Sequence, residues 1–578
     1  MSRPLVALLF VTACAARGPR PALTTTAETT QYVRTGRYDE AVQLCHDFAR
    51  AYDGVRCDRI GETGEGRPIV ALHIGRGDHP AIYIQAGIHA GEIEGKDAGF
   101  AFLRDLLDGK VAPGALGAVD VVFVPVVNPD GHERTSPNNR PNQRGPAEMG
   151  FRTNDARLNI NRDYVKAETP EMAALLRAFT SYRPVLLVDL HTTDGAKFEH
   201  DISINTAPIA PRGDHLEVAA TALQRATVAR LTELGHLPLA FYPAFVTDDD
   251  PSSGFAVSEV PPRFSQFYAA ARGRLGMLIE THSWRTYRER ATSTYHALQA
   301  IFEDARQHAA DWATATAAAE RADQQLAGSE VAMLWGTGPH RTEIEFRGYA
   351  YTRTHSDISG ADWIVYDEHK PEIWRVPLAD QLVPTLAIRV PRAGYVVDGG
   401  SASAVAAVLA RHGLRFTRID GQPRVAVWAY RATKVAHHPT FEGHTTVELT
   451  GAWAPETRTL ERGAIFVPIA QPGARLVLHL LEPALPDSLA QWGAFNAAFE
   501  RKEYLESYVA EQVARDMLAA DPALRAAFDA ALAADPALAA DPGRRLDWFY
   551  QRSPLWDERV NLLPVYRVDQ PPPTTPGS

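Results

Sequence analysis

His89-Ala90-Gly91-Glu92 sets an imidazole and a carboxylate three residues apart. From a turn or a helix start, both can converge on one metal ion, and neutral imidazole with carboxylate suits Zn²⁺. In a chain with 20 His and 70 acidic residues such a pair is common by chance, so it gains meaning only with further ligands. His191 offers a third, at the end of the run Val185-Leu186-Leu187-Val188-Asp189-Leu190. Glu280 ends another apolar run, Met277-Leu278-Ile279. A carboxylate there is costly unless solvated or paired, and beside a metal it can act as a general base. The ordinary alternatives are a satisfied core histidine and a salt-bridged strand end. Between these residues lie the turn Asn128-Pro129-Asp130-Gly131, then Arg152, then Asn161-Arg162-Asp163. A planar guanidinium can neutralise an oxyanion or grip a carboxylate with two parallel bonds.

Such side chains need rigid elements behind them. The apolar runs Ile69–Ile74, Ala81–Gln85, Val119–Val127, Pro184–Leu190 and Gly276–Ile279 read as buried strands. Amphipathic patterns over Tyr38–Tyr52, Ala98–Leu107 and Glu171–Phe179 read as helices. Strands alternating with helices indicate an α/β domain with a mixed, largely parallel sheet flanked by helices. In open α/β sheets, sites form at the carboxyl ends of strands, where His191 and Glu280 stand. Helices from about His296 to Leu326 close this domain. Residues 330–578 then read as an α+β region, strand-rich over 330–467 and helical over 486–546. The expected division is therefore 1–30 as signal and tether, 31–329 as the catalytic domain and 330–578 as a region of unassigned role. Asp-Pro at 521–522, 535–536 and 541–542 places Asp at an N-cap and Pro at the first helical position.

The order His89…Glu92, Asn-Pro-Asp-Gly, Asn161-Arg162, His191, Glu280 resembles the zinc metallocarboxypeptidase family of carboxypeptidase A type. The resemblance covers about residues 35–325. It implies one zinc ion held by His89, Glu92 and His191, with Glu280 activating water. It further implies that Arg152 stabilises the oxyanion and that Asn161 and Arg162 hold the substrate's terminal carboxylate. Three departures stand out. Asn159 occupies a position where the family often has an Asp that orients a zinc histidine. Asp163 puts a negative charge beside the carboxylate clamp. The family's substrate-capping Tyr lies about 22 residues before its catalytic Glu, where this chain has Ser258; Tyr268 is the nearest stand-in.

The implied activity is a carboxypeptidase trimming peptides or cell-wall stem peptides. An amidase or deacylase acting on a non-peptide acyl amide, and an inactive zinc-containing binding module, are the alternatives. A base at Glu280 speaks against the last. A net charge of −11 disfavours a nucleic-acid partner, since phosphate affinity comes from clustered Lys and Arg. The N-terminus carries an address: Arg3, an apolar run from Leu5 to Val11, then Val11-Thr12-Ala13-Cys14. This reads as an export signal, and it resembles a bacterial lipobox whose Cys14 would become lipidated and attach the protein to the cell envelope. Cys45 and Cys57 remain in the mature chain; an exported protein invites a disulfide between them, two buried thiols being the alternative.

Overall fold

The computed structural model describes residues 22–573, so the Cys14 and signal readings lie outside the described residues. The chain forms two compact units. The first holds residues up to Asp323, Ala332–Ala387 and Arg411–Gly413, and the second holds most of the rest.

In the first unit the strands are β1 (Val55–Glu62), β2 (Pro68–Ile74), β3 (Ala81–Ala86), β4 (Asp120–Val124), β5 (Leu186–Thr193), β6 (Ile202–Ala207), β7 (Pro238–Leu239), β8 (Phe255–Ala256) and β9 (Leu275–His282). The helices are α1 (Thr26–Thr29), α2 (Tyr38–Ala51), α3 (Glu94–Leu107), α4 (Pro129–Glu133), α5 (Pro170–Tyr182), α6 (His215–Glu233), α7 (Ser265–Ala271) and α8 (Tyr287–Asp323). Eight strands form one sheet in the order β1-β2-β4-β3-β5-β9-β6-β7. The pairings β3–β4, β3–β5, β5–β9 and β6–β7 are parallel, and the other three are antiparallel. Strands β3, β4 and β5 are buried along their whole length. That is why they read as unbroken apolar runs rather than as alternating patterns. β1 has only one fully buried residue, so it left no such run. The core is built from residues such as Ile82, Ile84, Val121, Phe123, Val188 and Ile279, covered by Phe100, Phe102, Leu298 and Phe302 from α3 and α8. A disulfide joins Cys45 on α2 to Cys57 on β1.

Two expected boundaries change. Residues 22–30 are part of the folded unit rather than tether. Thr25 caps α1 in a reciprocal box with Glu28, and the Arg104 guanidinium donates to Glu28 at 3.0 Å. The division at 329/330 also fails, because residues 332–387 pack with the first unit. This stretch holds β11 (Thr342–His355) and β12 (Asp362–Ala379) whole and most of β10 (Glu330–Thr337) and β13 (Leu382–Arg389). β11 and β12 form a long hairpin, and β12 pairs in parallel with β8. The hairpin's Phe346, Trp374 and Val376 share one cluster with Phe198, Phe255 and Trp284. Large aromatic surface of this kind is buried only against a matching face, here supplied by Phe198, Phe255 and Trp284 of the first unit.

The second unit has strands β14 (Gly394–Val397), β15 (Thr417–Arg418), β16 (Arg424–Phe441), β17 (His444–Thr459), β18 (Ile465–Pro468) and β19 (Leu562–Val568) in one six-stranded sheet. Its late helices over 522–550 begin at Asp521, Asp535 and Asp541, each accepting a backbone N–H ahead of a Pro. Among the described residues no helix is long and apolar enough to cross a membrane.

Candidate active site

The site follows from strand direction. β3, β5 and β9 run parallel and adjacent, so their carboxyl ends share one sheet edge. The chain leaves β3 for β4 on one side, and β5 lies on the other, which opens a crevice at that edge. His89 and Glu92 lie in the turn from β3 to α3. His191 is on β5, directly opposite Glu280 on β9. One ligand atom each from His89, Glu92 and His191 lies within 4.8 Å of the others. Gly91 is required between them: a Cβ there would lie 2.5 Å from Arg140 Cγ and 2.7 Å from the Gly150 carbonyl oxygen.

Glu92 is the hub. Arg140 Nη2 lies 2.8 Å and Arg152 Nη1 3.4 Å from its Oε1, while Oε2 accepts from the Thr192 amide at 3.1 Å and lies 3.0 Å from His191 Nδ1. Burial alone would raise the Glu92 carboxyl, but the neighbouring His89 ring, the Arg140 charge and the contact with His191 hold it well below its usual range. Burial keeps the His89 imidazole neutral, well below its usual range, with Glu92 opposing. Its Nδ1 is buried without a hydrogen-bond partner among the described residues. Burial opposes charge on His191, yet the carboxylates of Asp189 and Glu92 outweigh it and draw this ring toward positive charge. His191 Nε2 lies 2.9 Å from Asp189 Oδ2, a buried carboxylate, in an ion contact outside hydrogen-bond geometry. An orphaned imidazole nitrogen, a held carboxylate and a second imidazole within 4.8 Å of both fit a Zn²⁺ donor set.

Seven of the eight site residues expected from sequence line one cavity of about 330 Å³: His89, Glu92, His191, Glu280, Arg152, Asn161 and Arg162. Glu280 is pushed up to about 8, first by burial and then by Glu92 and Asp189, against the pull of His191. Asn161 Nδ2 stands 3.4 Å from His89 Nε2. Arg162 packs its guanidinium 4.4 Å from the centre of the Phe264 ring. Asn159 accepts the Asn161 amide at 3.1 Å, so it shapes the clamp's backbone. Asp163 does not line the cavity. It accepts from the Thr169 amide and hydroxyl, both at 2.8 Å, and from the Glu168 amide at 3.1 Å, which secures the start of α5.

Tyr268 is the eighth, and the structure corrects it. It is fully buried on α7, its hydroxyl 3.0 Å from His412 Nδ1 and accepting from Arg272 at 2.9 Å. Its ring packs on Tyr164 and Phe179. α7 packs closely on β9, where a Cβ on Gly276 would meet the Gln266 carbonyl oxygen at 2.3 Å. The tyrosine that lines the cavity is Tyr242, whose hydroxyl lies 3.2 Å from Thr193 Oγ1. Tyr242 is 41% exposed, but desolvation at the cavity wall and the Glu280 carboxyl raise its phenol, so it stays protonated. Tyr242 stands 38 residues before Glu280, beyond the spacing that singled out Ser258. The available signal was an aromatic pair, Phe241-Tyr242, followed by Pro243 in a loop. Arg140 and Asp189 were also passed over; each is a charged residue in a buried position.

Residues 41–233 match the family described as zinc carboxypeptidase. The segment holds His89, Glu92, Arg152, Asn161, Arg162 and His191, and Glu280 lies beyond it. Carboxypeptidase A4 of Mus musculus is 36% identical over 110 residues, 18% of this chain and 26% of that protein. The chain thus spans about a quarter of the length of this curated relative. A solved metallo-carboxypeptidase from Pseudomonas aeruginosa is 17% identical, with a TM-score of 0.35, over 47% of this chain and 70% of its own. One from Burkholderia cenocepacia is also 17% identical, with a TM-score of 0.35, over 46% and 68%.

Proposed function

We propose, from the premise that residues 41–233 form a domain of the zinc carboxypeptidase family, that this chain is an exported carboxypeptidase removing the C-terminal residue of peptides or cell-wall stem peptides. The observation that carries this reading is the single cavity shared by the His-Glu-His set, Glu280, and the pair Asn161 and Arg162. Held by His89, Glu92 and His191, zinc would supply Lewis-acid polarisation of the scissile carbonyl and would acidify a water.

The chain's own residues do the rest. Arg162 grips the terminal carboxylate, with Asn161 as a neutral donor, and this fixes which bond reaches Glu280. Glu280 takes the proton of the attacking water and hands it to the leaving nitrogen. Its carboxyl is lifted toward the neutral range, where it can both accept and return a proton. Arg152, about two-fifths exposed and resting on Glu92, aims positive charge where oxygen becomes negative. Tyr242 closes the open side. Export is supported by the N-terminal address and by the Cys45–Cys57 disulfide, which suits an oxidising compartment. In this reading Cys14 is the lipid-bearing first residue of the mature protein.

One acyl-dipeptide offered as free acid and as C-terminal amide tests the reading. Loss of one partner of a buried charge pair costs about 2–5 kcal/mol. The amide should therefore fall roughly 30- to 4000-fold in kcat/KM. Equal values for acid and amide would replace the carboxypeptidase reading with the amidase one.

A further inference from the structure

We propose that the cavity selects a C-terminal tyrosine side chain, a ring with a neutral hydrogen-bonding end, and that Asn205 is the residue that reads this end. The proposal rests on the carboxypeptidase reading above. Along β9, Leu278 lies two residues before Glu280 and on the same face of the sheet. Directly across from Leu278, on β6, is Asn205. Both line the cavity, together with Ile209, Val260, Phe267 and Gln266. These six are uncharged. A lysine or arginine side chain seated among them would meet no carboxylate from this wall, and a glutamate would meet no cation. The apolar and aromatic members suit a flat ring.

Asn205 is the feature that packing does not explain. It is 5% exposed, and its amide nitrogen is buried without a hydrogen-bond partner among the described residues. An unsatisfied buried amide is costly, and an aliphatic residue would fill the position without that cost. Its unsatisfied bonding capacity therefore points to a ligand group. A phenol hydroxyl both donates and accepts, so it satisfies the amide whichever way the amide is turned. A carboxylate only accepts and would bring an unpaired charge into an uncharged wall.

The test is kcat/KM for two acyl-dipeptides identical except for a terminal Tyr or Phe, with the zinc-loaded full chain and its Asn205→Leu variant. A site that bonds a substrate hydroxyl rejects the analogue lacking it. The expected result is a Tyr-over-Phe preference of about tenfold or more that collapses at least tenfold in Asn205→Leu. Should that variant not fold, the wild-type ratio alone decides. A ratio within about threefold of unity, or one unchanged in a folded Asn205→Leu, overturns the assignment of Asn205 and leaves the carboxypeptidase reading standing. Hydrolysis of neither acid overturns both.

Discussion

His191 and Glu280 are direct partners across the parallel pairing of β5 and β9, although 89 residues separate them in sequence. The proposed base and a proposed metal ligand are thus fixed by one strand register. A shift of one residue would send one of them to the other face of the sheet.

Replacing His191 with Ala should abolish zinc binding. His191 Nδ1 is the nitrogen that lies toward Glu92, and its Nε2 faces Asp189. Elemental analysis should fall from about one zinc per chain to near zero, because two protein ligands rarely hold zinc. Full occupancy in His191→Ala would remove the ligand assignment.

Glu280→Gln should keep zinc and fold but lose turnover by roughly 10²–10⁴, the usual worth of general-base catalysis. Gln preserves shape and cannot take a proton. Activity within about tenfold of wild type would move the base to another residue.

The two tyrosines should separate stability from turnover. Tyr268→Phe leaves His412 Nδ1 and Arg272 without a phenol partner and should cost about 1–3 kcal/mol of stability, with kinetics unchanged. Tyr242→Phe should lower kcat/KM by about fivefold with the thermal midpoint unchanged, since a substrate hydrogen bond is worth about 1 kcal/mol. Denaturation and kinetics on both variants check this, and the reverse pattern would return Tyr268 to the substrate.

Glu171 makes stability depend on pH. It is fully buried, one carboxylate oxygen lacks a partner, and its pKa rises from 4.5 to about 7, first by burial and then by Asp155 and Asp130. The folded state therefore holds the proton more tightly than the unfolded chain. Its contribution is complete below pH 4.5 and is lost as pH rises through about 7. The loss is about 3 kcal/mol. Urea midpoints of Glu171→Gln should show this decline removed between pH 5 and about 8. An identical pH slope in variant and wild type would exclude it.

Much of the site was legible in the residues themselves. His89, Glu92, His191 and Glu280 follow apolar runs that read as buried strands. Charged residues at such ends demand a reason, and the run order places them at one sheet edge. The Asp-Pro caps were legible for the same local reason: an Asp side chain and a fixed proline φ act within one turn. Tyr242 was not legible, because its place depends on how far a loop travels before returning to β9. The role of Asp163 was equally hidden, since whether that carboxylate turns to the clamp or to Thr169 depends on where α5 starts.

The amino-acid sequence by itself determined the chemistry available: which imidazoles, carboxylates and guanidinium groups exist, and which strands carry them. Apolar periodicity and turn residues act over a few positions, so they survive reading without coordinates. Tertiary structure alone decided which tyrosine faces the cavity and that Arg140 and Asp189 stand behind Glu92 and His191. It also decided that the hairpin over 342–379 belongs with the first unit. Each of these is a contact between residues far apart in sequence. Such contacts are set by packing complementarity, which the local pattern of a single chain does not encode.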